Sequence, residues 1–353
     1  MEPSVAERRG TESPPEPPAR FARVTRLARA LRPPRGRGRR IAAWCAIPPL
    51  ATASVVLGCR AADTDGITPV PQLLAFLPWL LVPVLLGLLL AVAARWAAGC
   101  VWALVAAAAT GWFTQPYGSP AGPEPSGPVV ARLRVLSANL EYGGATDGLL
   151  STLRRERPDL VSVQECDVRC ATALDSPAVR ESYPYRNIVT GTPAEGSAIL
   201  SRHPLRNEEG IDATLAMPRS VATVRGQRVH VQVAHPMPPE PGGVDLWRAE
   251  LGRLRAYAAG RGDEATMVAG DFNATQDHAA FRSVLDTGLR DSARVTGASR
   301  TPTWPSLTAP LLGVQIDHVL VSDTLRPRTA RFLDLANTDH RALLVDLDLY
   351  AAP

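Results

Sequence analysis

The chain has 353 residues, 46% of them hydrophobic, and a net charge of +4, which is enough for one large domain with a second region or for two ordinary domains. Residues 1–40 carry eleven Arg and four Glu, a net of +7, so everything after them sums to −3. The basicity is therefore a property of a tail, and net charge gives no argument for nucleic-acid binding, which needs a basic face on the folded part.

Residues 1–40 are rich in Pro, Arg, Glu and Gly and poor in apolar side chains, a composition that predicts a disordered tail. Three uncharged apolar stretches follow within residues 41–113: Ile41 to Gly58, Leu73 to Ala94 and Ala97 to Phe113. Each approaches the roughly 17–25 residues that a bilayer requires, which predicts an all-α region of three transmembrane helices. The competing reading is a signal peptide followed by buried core helices, but no small-residue cleavage site is sensibly placed. Arg35, Arg37, Arg39 and Arg40 directly precede the first stretch. By the positive-inside rule they place the N-terminus in the cytoplasm. Three crossings then put everything after a Pro/Gly-rich linker at 114–128 outside the cell.

From residue 129 to 353 the texture becomes that of a globular α/β domain. Short apolar or alternating runs predict strands at Arg132 to Ala138, Leu160 to Gln164, Ser197 to Ser201, Val229 to Ala234, Thr266 to Ala269, Ile316 to Val321 and Ala342 to Leu349. Helical periodicity lies between some of them, at Leu149 to Arg157, Asp245 to Ala259 and His278 to Thr287. The pattern fits a two-sheet core covered by helices. Of the five cysteines, Cys166 and Cys170 could pair in an oxidising compartment, although on one helix an i/i+4 pair fits a disulfide poorly. No set of Cys and His has zinc-site spacing.

Chemistry-bearing residues recur at the ends of these runs: Asn139, Glu165, His235, Asp271 with Asn273, Asp317 with His318, and Asp339 with His340. Strand ends are where a rigid scaffold presents side chains to a common cleft. Carboxylates with an amide suit a hard cation such as Mg²⁺ or Mn²⁺, and histidines beside them suit proton transfer. Each has a plainer reading. Asp271 and Asn273 could cap the helix that begins near His278, Asp339 could be a turn residue, and His235 could be a loop histidine. His203, His278 and His318 read as structural.

Taken in order, "LSANLEYGG", "VSVQE", "SAILSRHPL", "VQVAHPMPP", "VAGDFNAT", "PTWP", "QIDHVLVS" and "TDHRALLVDL" resemble the endonuclease/exonuclease/phosphatase (DNase I-like) superfamily over about Val130 to Leu349. The resemblance implies a four-layer α/β/β/α sandwich with a metal cleft at one edge of the sheets. It makes Glu165 the principal ligand of Mg²⁺ (or Mn²⁺), with Asn139 and Asp339 completing or adjoining that site. It gives Asp271 the attacking water and Asn273 a phosphoryl oxygen. His340 would contact the phosphate, held by Asp317, and His235 would be a second phosphate contact or proton donor. Arg219 and Trp304 would lie against the substrate, Trp304 as a cleft wall. A departure is Gln315, where many members carry a basic residue.

The superfamily cleaves many phosphoesters, so the fold does not name the substrate. The membrane architecture is similar to actinobacterial membrane proteins of this superfamily associated with teicoplanin resistance. That similarity favours a lipid-linked phosphate or pyrophosphate of the undecaprenyl type, acted on outside the cell, with no protein partner. An anchored extracellular nuclease and a non-catalytic membrane resistance or binding protein that kept the fold are the alternatives.

Overall fold

The computed structural model describes residues 34–118, 127–309 and 311–351. The predicted tail over 1–40 lies outside them up to residue 33 and the linker over 114–128 lies outside them over 119–126; Arg37 to Arg40, expected in the tail, are helical. The described helices before residue 114 are α1 (Arg37–Ala61), α2 (Val70–Ala75), a 3-10 turn (Leu77–Leu80), α3 (Leu81–Ala93) and α4 (Ala97–Phe113). Among the described residues, α1 is the one helix long and apolar enough to cross a membrane, with 25 residues and a mean hydropathy of 1.7.

Of the three membrane-length helices expected, the described residues show one, with shorter apolar helices in the other two stretches. The second apolar stretch is not one helix: it is divided among α2, the 3-10 turn and α3. Pro71 stands in the first turn of α2 and Pro78 opens the 3-10 turn. Proline lacks the N–H that a continuous helix would use and disfavours helical geometry in the residue before it. The third stretch is a helix over its predicted bounds but has only 17 residues. Trp44, Val82, Leu85, Leu89, Val101 and Leu104 are all exposed on these helices.

Two compact units divide the chain. The helical segments up to Thr52 and over Val82–Ala107 form one, and Ala53–Leu81 with Ala108–Pro353 forms the other. The second unit contains twelve strands in two six-stranded sheets. The first sheet has the order β11-β12-β1-β2-β4-β3, from β1 (Val129–Asn139), β2 (Leu160–Gln164), β3 (Tyr185–Val189), β4 (Ser197–Ser201), β11 (Leu325–Asp334) and β12 (Arg341–Tyr350). The second has the order β5-β6-β7-β8-β10-β9, from β5 (Leu205–Ile211), β6 (Met217–Val224), β7 (Gln227–Ala234), β8 (Ala265–Asp271), β9 (Arg290–Asp291) and β10 (Asp317–Val321).

Side-chain alternation along each strand builds the layers. Leu133, Val135 and Leu160 of the first sheet meet Val231, Met267 and Val319 of the second in a shared core. Their neighbours Leu136, Val161 and Val163 turn the other way. They pack under α5 (Thr146–Glu156), α6 (Val168–Leu174) and α7 (Pro177–Ser182). On the far side Ala234, Val268 and Leu320 lie under α8 (Val244–Ala259) and α9 (Ala279–Leu285), with Trp247 and Phe281 fully buried. The result is an α/β/β/α sandwich, completed by the short α10 (Ser292–Val295).

Register brings the chemical residues to one end. In each sheet a parallel pair, β1 with β2 and β7 with β8, forms the centre. Asn139 pairs with Gln164, the residue before Glu165; Ala234, before His235, pairs with Gly270, before Asp271; and Asp271 pairs with Asp317 across the antiparallel β8 and β10. Gly270 is required there, because a Cβ at this position would lie 1.9 Å from the Ala234 carbonyl oxygen.

Candidate active site

The strand ends converge on a cavity of about 660 Å³ whose lining includes Glu165, His235, Asp271, Asn273, Asp339 and His340. Asn139, buried at the end of β1, is the hinge of the polar network. Its Nδ2 donates to Glu165 Oε1 at 3.0 Å and to Asp271 Oδ2 at 3.1 Å, while its Oδ1 accepts the Glu141 N–H. Glu165 directly follows β2 with φ of 53°, and its second oxygen accepts the Tyr142 N–H at 2.9 Å. Asp271 accepts the Asn273 N–H at 2.7 Å, and Asn273 Nδ2 donates to the Pro236 carbonyl. His340 Nδ1 lies 3.0 Å from Asp317 Oδ2, and its Nε2 faces Asp339 at 3.7 Å and Asp271 at 3.8 Å. The Trp304 indole N–H donates to Asp339 Oδ2 at 2.7 Å.

Burial and crowding set the protonation of these groups. Burial pushes the Asp271 carboxyl up most; the His340 charge opposes this, Asp317 adds to it, and the outcome is about 7. Glu165 is also raised, chiefly by burial, against the hydrogen bonds from Asn139 and Tyr142. For His340 burial acts downward. The charge and hydrogen bond of Asp317, with Asp271 and Asp339 behind them, overcome it and raise the ring to about 10. His235 has no such partner: burial, then the His340 charge, lowers it to about 3. Its Nδ1 is buried without a hydrogen-bond partner among the described residues, and its Nε2 is 3.8 Å from Glu165. At neutral pH the reacting cluster therefore sets the cationic His340 and the neutral His235 beside a carboxyl raised to about 7. That combination suits proton abstraction next to a fixed positive charge.

The profile of the Endonuclease/Exonuclease/phosphatase family matches residues 136–340, more than half of the chain and every position in this network. The chain belongs to that family. Three solved structures are similar to parts of the chain. Humanized D. rerio TDP2 with 14 mutations is 16% identical, with a TM-score of 0.50 over 62% of this chain and 99% of that one. The endonuclease/exonuclease/phosphatase from Beutenbergia cavernae is 19% identical, with a TM-score of 0.49 over 63% of this chain and 72% of that one. Sphingomyelinase C from Streptomyces griseocarneus is 19% identical, with a TM-score of 0.46 over 62% and 99%. No curated protein matches the chain.

Of the residues singled out in the sequence, nine of this family member's ten candidates lie in the cluster or its immediate support. Arg219 does not. It sits on β6, its Nε 3.2 Å from Glu208 and its guanidinium over the Tyr257 ring at 5.4 Å, outside the catalytic cavity. Alternation along β6 carries it there, opposite Gln232 of β7. Residues the sequence reading missed are Glu141, which accepts the Asp339 N–H at 2.7 Å, and Thr338, whose hydroxyl donates to the Asn139 carbonyl and accepts the His340 N–H. Glu141 and Tyr142 both have positive φ in "LEYGG". The paired glycines after them were the available sign of a sharp turn at that strand end. The α9 N-terminus is not capped by Asp271 or Asn273; Asp65 accepts its first N–H groups instead. Gln315 accepts the Arg300 N–H at 2.7 Å.

Cys166 and Cys170 form a disulfide with Cα atoms 5.2 Å apart. The helical objection fails because Asp167 is the N-cap of α6, so Cys166 stands before the helix.

His318 is buried against Phe281 and Phe272. Its Nδ1 lies 2.9 Å from Asp291 and its Nε2 3.1 Å from the Ala274 carbonyl, so both nitrogens face acceptors. Burial acts against the charged ring, but Asp291 and the Ala274 carbonyl outweigh it and raise the pKa. A folded-state value above the unfolded value of about 6.5 gives stability fully present below about pH 6.5 and lost as pH rises through the folded value. Asp291→Asn keeps the α10 cap and removes the charge. It is expected to cost about 3 kcal/mol near pH 6 and progressively less as pH rises above that. Urea melts across pH check this; a pH-independent cost would show that the ion pair is not the cause.

Proposed function

We propose that this chain is a membrane-anchored, divalent-metal-dependent hydrolase of a phosphate or pyrophosphate attached to a lipid, acting outside the cell. The observation that carries the reading is the convergence of Glu165, Asn139, Asp271, Asp339 and the His340–Asp317 pair on a cavity that is otherwise largely apolar. Leu215, Met237, Pro238, Pro239, Val314 and Ile316 are among its apolar lining residues. Among the described residues the lining contains five carboxylates and no arginine. A nucleic-acid backbone needs cations that displace its counterions, so an anchored nuclease is disfavoured. The outward-facing Leu, Val and Trp side chains of α1, α3 and α4 are disfavoured in water and suit lipid. The disulfide suits an oxidising compartment. The similarity to teicoplanin-resistance membrane proteins points to the same substrate class.

The donor set fits a hard cation: oxygen ligands, crowded and partly uncompensated, with Glu165 and Asp271 both raised. Among the described residues no three His, Cys, Asp or Glu are already arranged as a closed metal-binding group. Glu165 with Asp339 would hold Mg²⁺ or Mn²⁺, with Asn139 adjoining the site through its bond to Glu165; the ion would supply charge neutralisation on a phosphoryl oxygen. Asp271 orients a water and takes its proton. The free Asn273 amide hydrogen and the cationic His340 donate to phosphoryl oxygens as charge builds on them. Asp317 holds His340 in place, and the neutral His235 offers a further N–H near the leaving oxygen.

The test uses detergent-purified full-length protein with Mg²⁺, undecaprenyl pyrophosphate and, in parallel, plasmid DNA. Phosphate release is expected, with DNA left intact. EDTA is expected to stop it and Mg²⁺ to restore it. DNA nicking without phosphate release would transfer the case to the nuclease reading, and turnover unaffected by EDTA would remove the cation from the mechanism.

A further inference from the structure

Part of the cavity wall comes from a distant stretch of sequence. Gln72, Ala75 and Phe76, from the end of α2, line it together with Asp271 and His340. They lie in the segment between α1 and α3, which packs as one unit with the catalytic sandwich. Its attachment is specific. Asp65, 3% exposed, accepts the N–H groups of Ala279 and Ala280 at 2.7 and 3.1 Å, satisfying the free donors at the start of α9. Asp63 pairs with Arg282, which is 1% exposed. The His278 ring accepts the Thr275 N–H at Nδ1, so its Nε2 donates to the Pro71 carbonyl at 2.8 Å. Arg248 donates to the Gly66 carbonyl, and Gln72 to the Pro239 carbonyl. Without the segment, Arg282 would lose its carboxylate partner and α9 its cap. Arrangements of that kind cost several kcal/mol when half-removed, so the wall is held and not merely adjacent.

We propose that this segment is a built part of the active site, and that Phe76 with Ala75 is the surface on which the substrate's apolar group lies next to its phosphate. Phe76 is half-buried and apolar, on a cavity that also holds the reacting cluster. It is followed at once by the 3-10 turn and the apolar helix α3. A phosphoester with a hydrocarbon tail can place its head on the cluster and its first carbons against Phe76, while a substrate without a tail gains nothing there. Burial of each further CH₂ favours binding, so chain length is read as affinity. This inference rests on the hydrolase function proposed above.

The test compares two pyrophosphates with the same head group and different chain length, isopentenyl and farnesyl pyrophosphate, with full-length protein in detergent and Mg²⁺. Wild type is expected to show a KM for the farnesyl compound at least about tenfold lower. Phe76→Asp is expected to raise the KM for the farnesyl compound about tenfold and so erase that advantage, and Phe76→Leu to restore most of it. Equal losses on both substrates, no change on either, or equal KM values in wild type would overturn the wall while leaving the hydrolase intact. Wild type turning over neither substrate would overturn the proposed function and the wall with it.

Discussion

Asp271→Asn is expected to abolish hydrolysis while leaving the protein folded. Asp271 is the group whose carboxyl titrates at about 7, close to the value at which a base both exists ionised and accepts a proton readily. An asparagine can reproduce the bond from the Asn273 N–H, but it cannot take the proton of a water. The expected loss in kcat is about 10²–10⁴-fold, the usual worth of a general base, with KM little changed because the side chain acts mainly as the transition state forms. The melting temperature is expected to fall only modestly: the substitution removes a charge that burial disfavours but turns an amide N–H toward the Asn139 donor. Steady-state kinetics and a thermal melt on the same sample decide it. A variant that keeps more than about a tenth of wild-type kcat would move the base elsewhere, with His235 the next candidate by position.

The features legible in the sequence are those in which the residue pattern is local. Leu160–Gln164 and Ser197–Ser201 read as strands because both are short, apolar and closed by polar residues, and they form with those bounds. Leu205–Ile211 does not read as a strand: "LRNEEGI" is charged through its middle and follows no alternation, and it pairs at the edge of its sheet with a bulge between Glu208 and Ile211. Most of the candidate site residues were legible because they end an apolar run, as Asn139 and Asp271 do, or open or precede one, as Asp317 and His340 do. Arg219 was misplaced because its position within β6 decides which way it points, and no local signal fixes that register. Asp63, Asp65 and Gln72 were illegible for a different reason. They lie about two hundred residues from the groups they hold, and in the sequence they look like a short polar loop between two apolar stretches. Their role exists only once the sandwich has brought α9 to them.

Asp317→Ala is expected to damage stability and activity together, which sets it apart from Asp271→Asn. The Asp317 side chain is fully buried, and one of its oxygens holds His340 Nδ1 at 3.0 Å while the other has no hydrogen-bond partner among the described residues. Removing it leaves a 6% exposed imidazole facing only Asp271 and Asp339, each more than 3.5 Å away. Breaking a buried pair from one side costs about 3–5 kcal/mol, so a clear fall in melting temperature is expected. The ring also loses the neighbour that most strongly favours its charged form and the contact that fixes its orientation. A loss of about 10²–10³-fold in kcat is expected on top of the stability change, since a donor that stabilises developing charge is worth that much when displaced. Asp317→Asn separates the two effects: its amide oxygen can still accept from Nδ1, so orientation and much of the stability return, while the charge does not. If Asp317→Asn recovers stability and stays nearly inactive, the carboxylate acts through the charge on His340. If it recovers both, Asp317 acts as a positioning residue through geometry alone, and the cationic ring is not what the transition state needs.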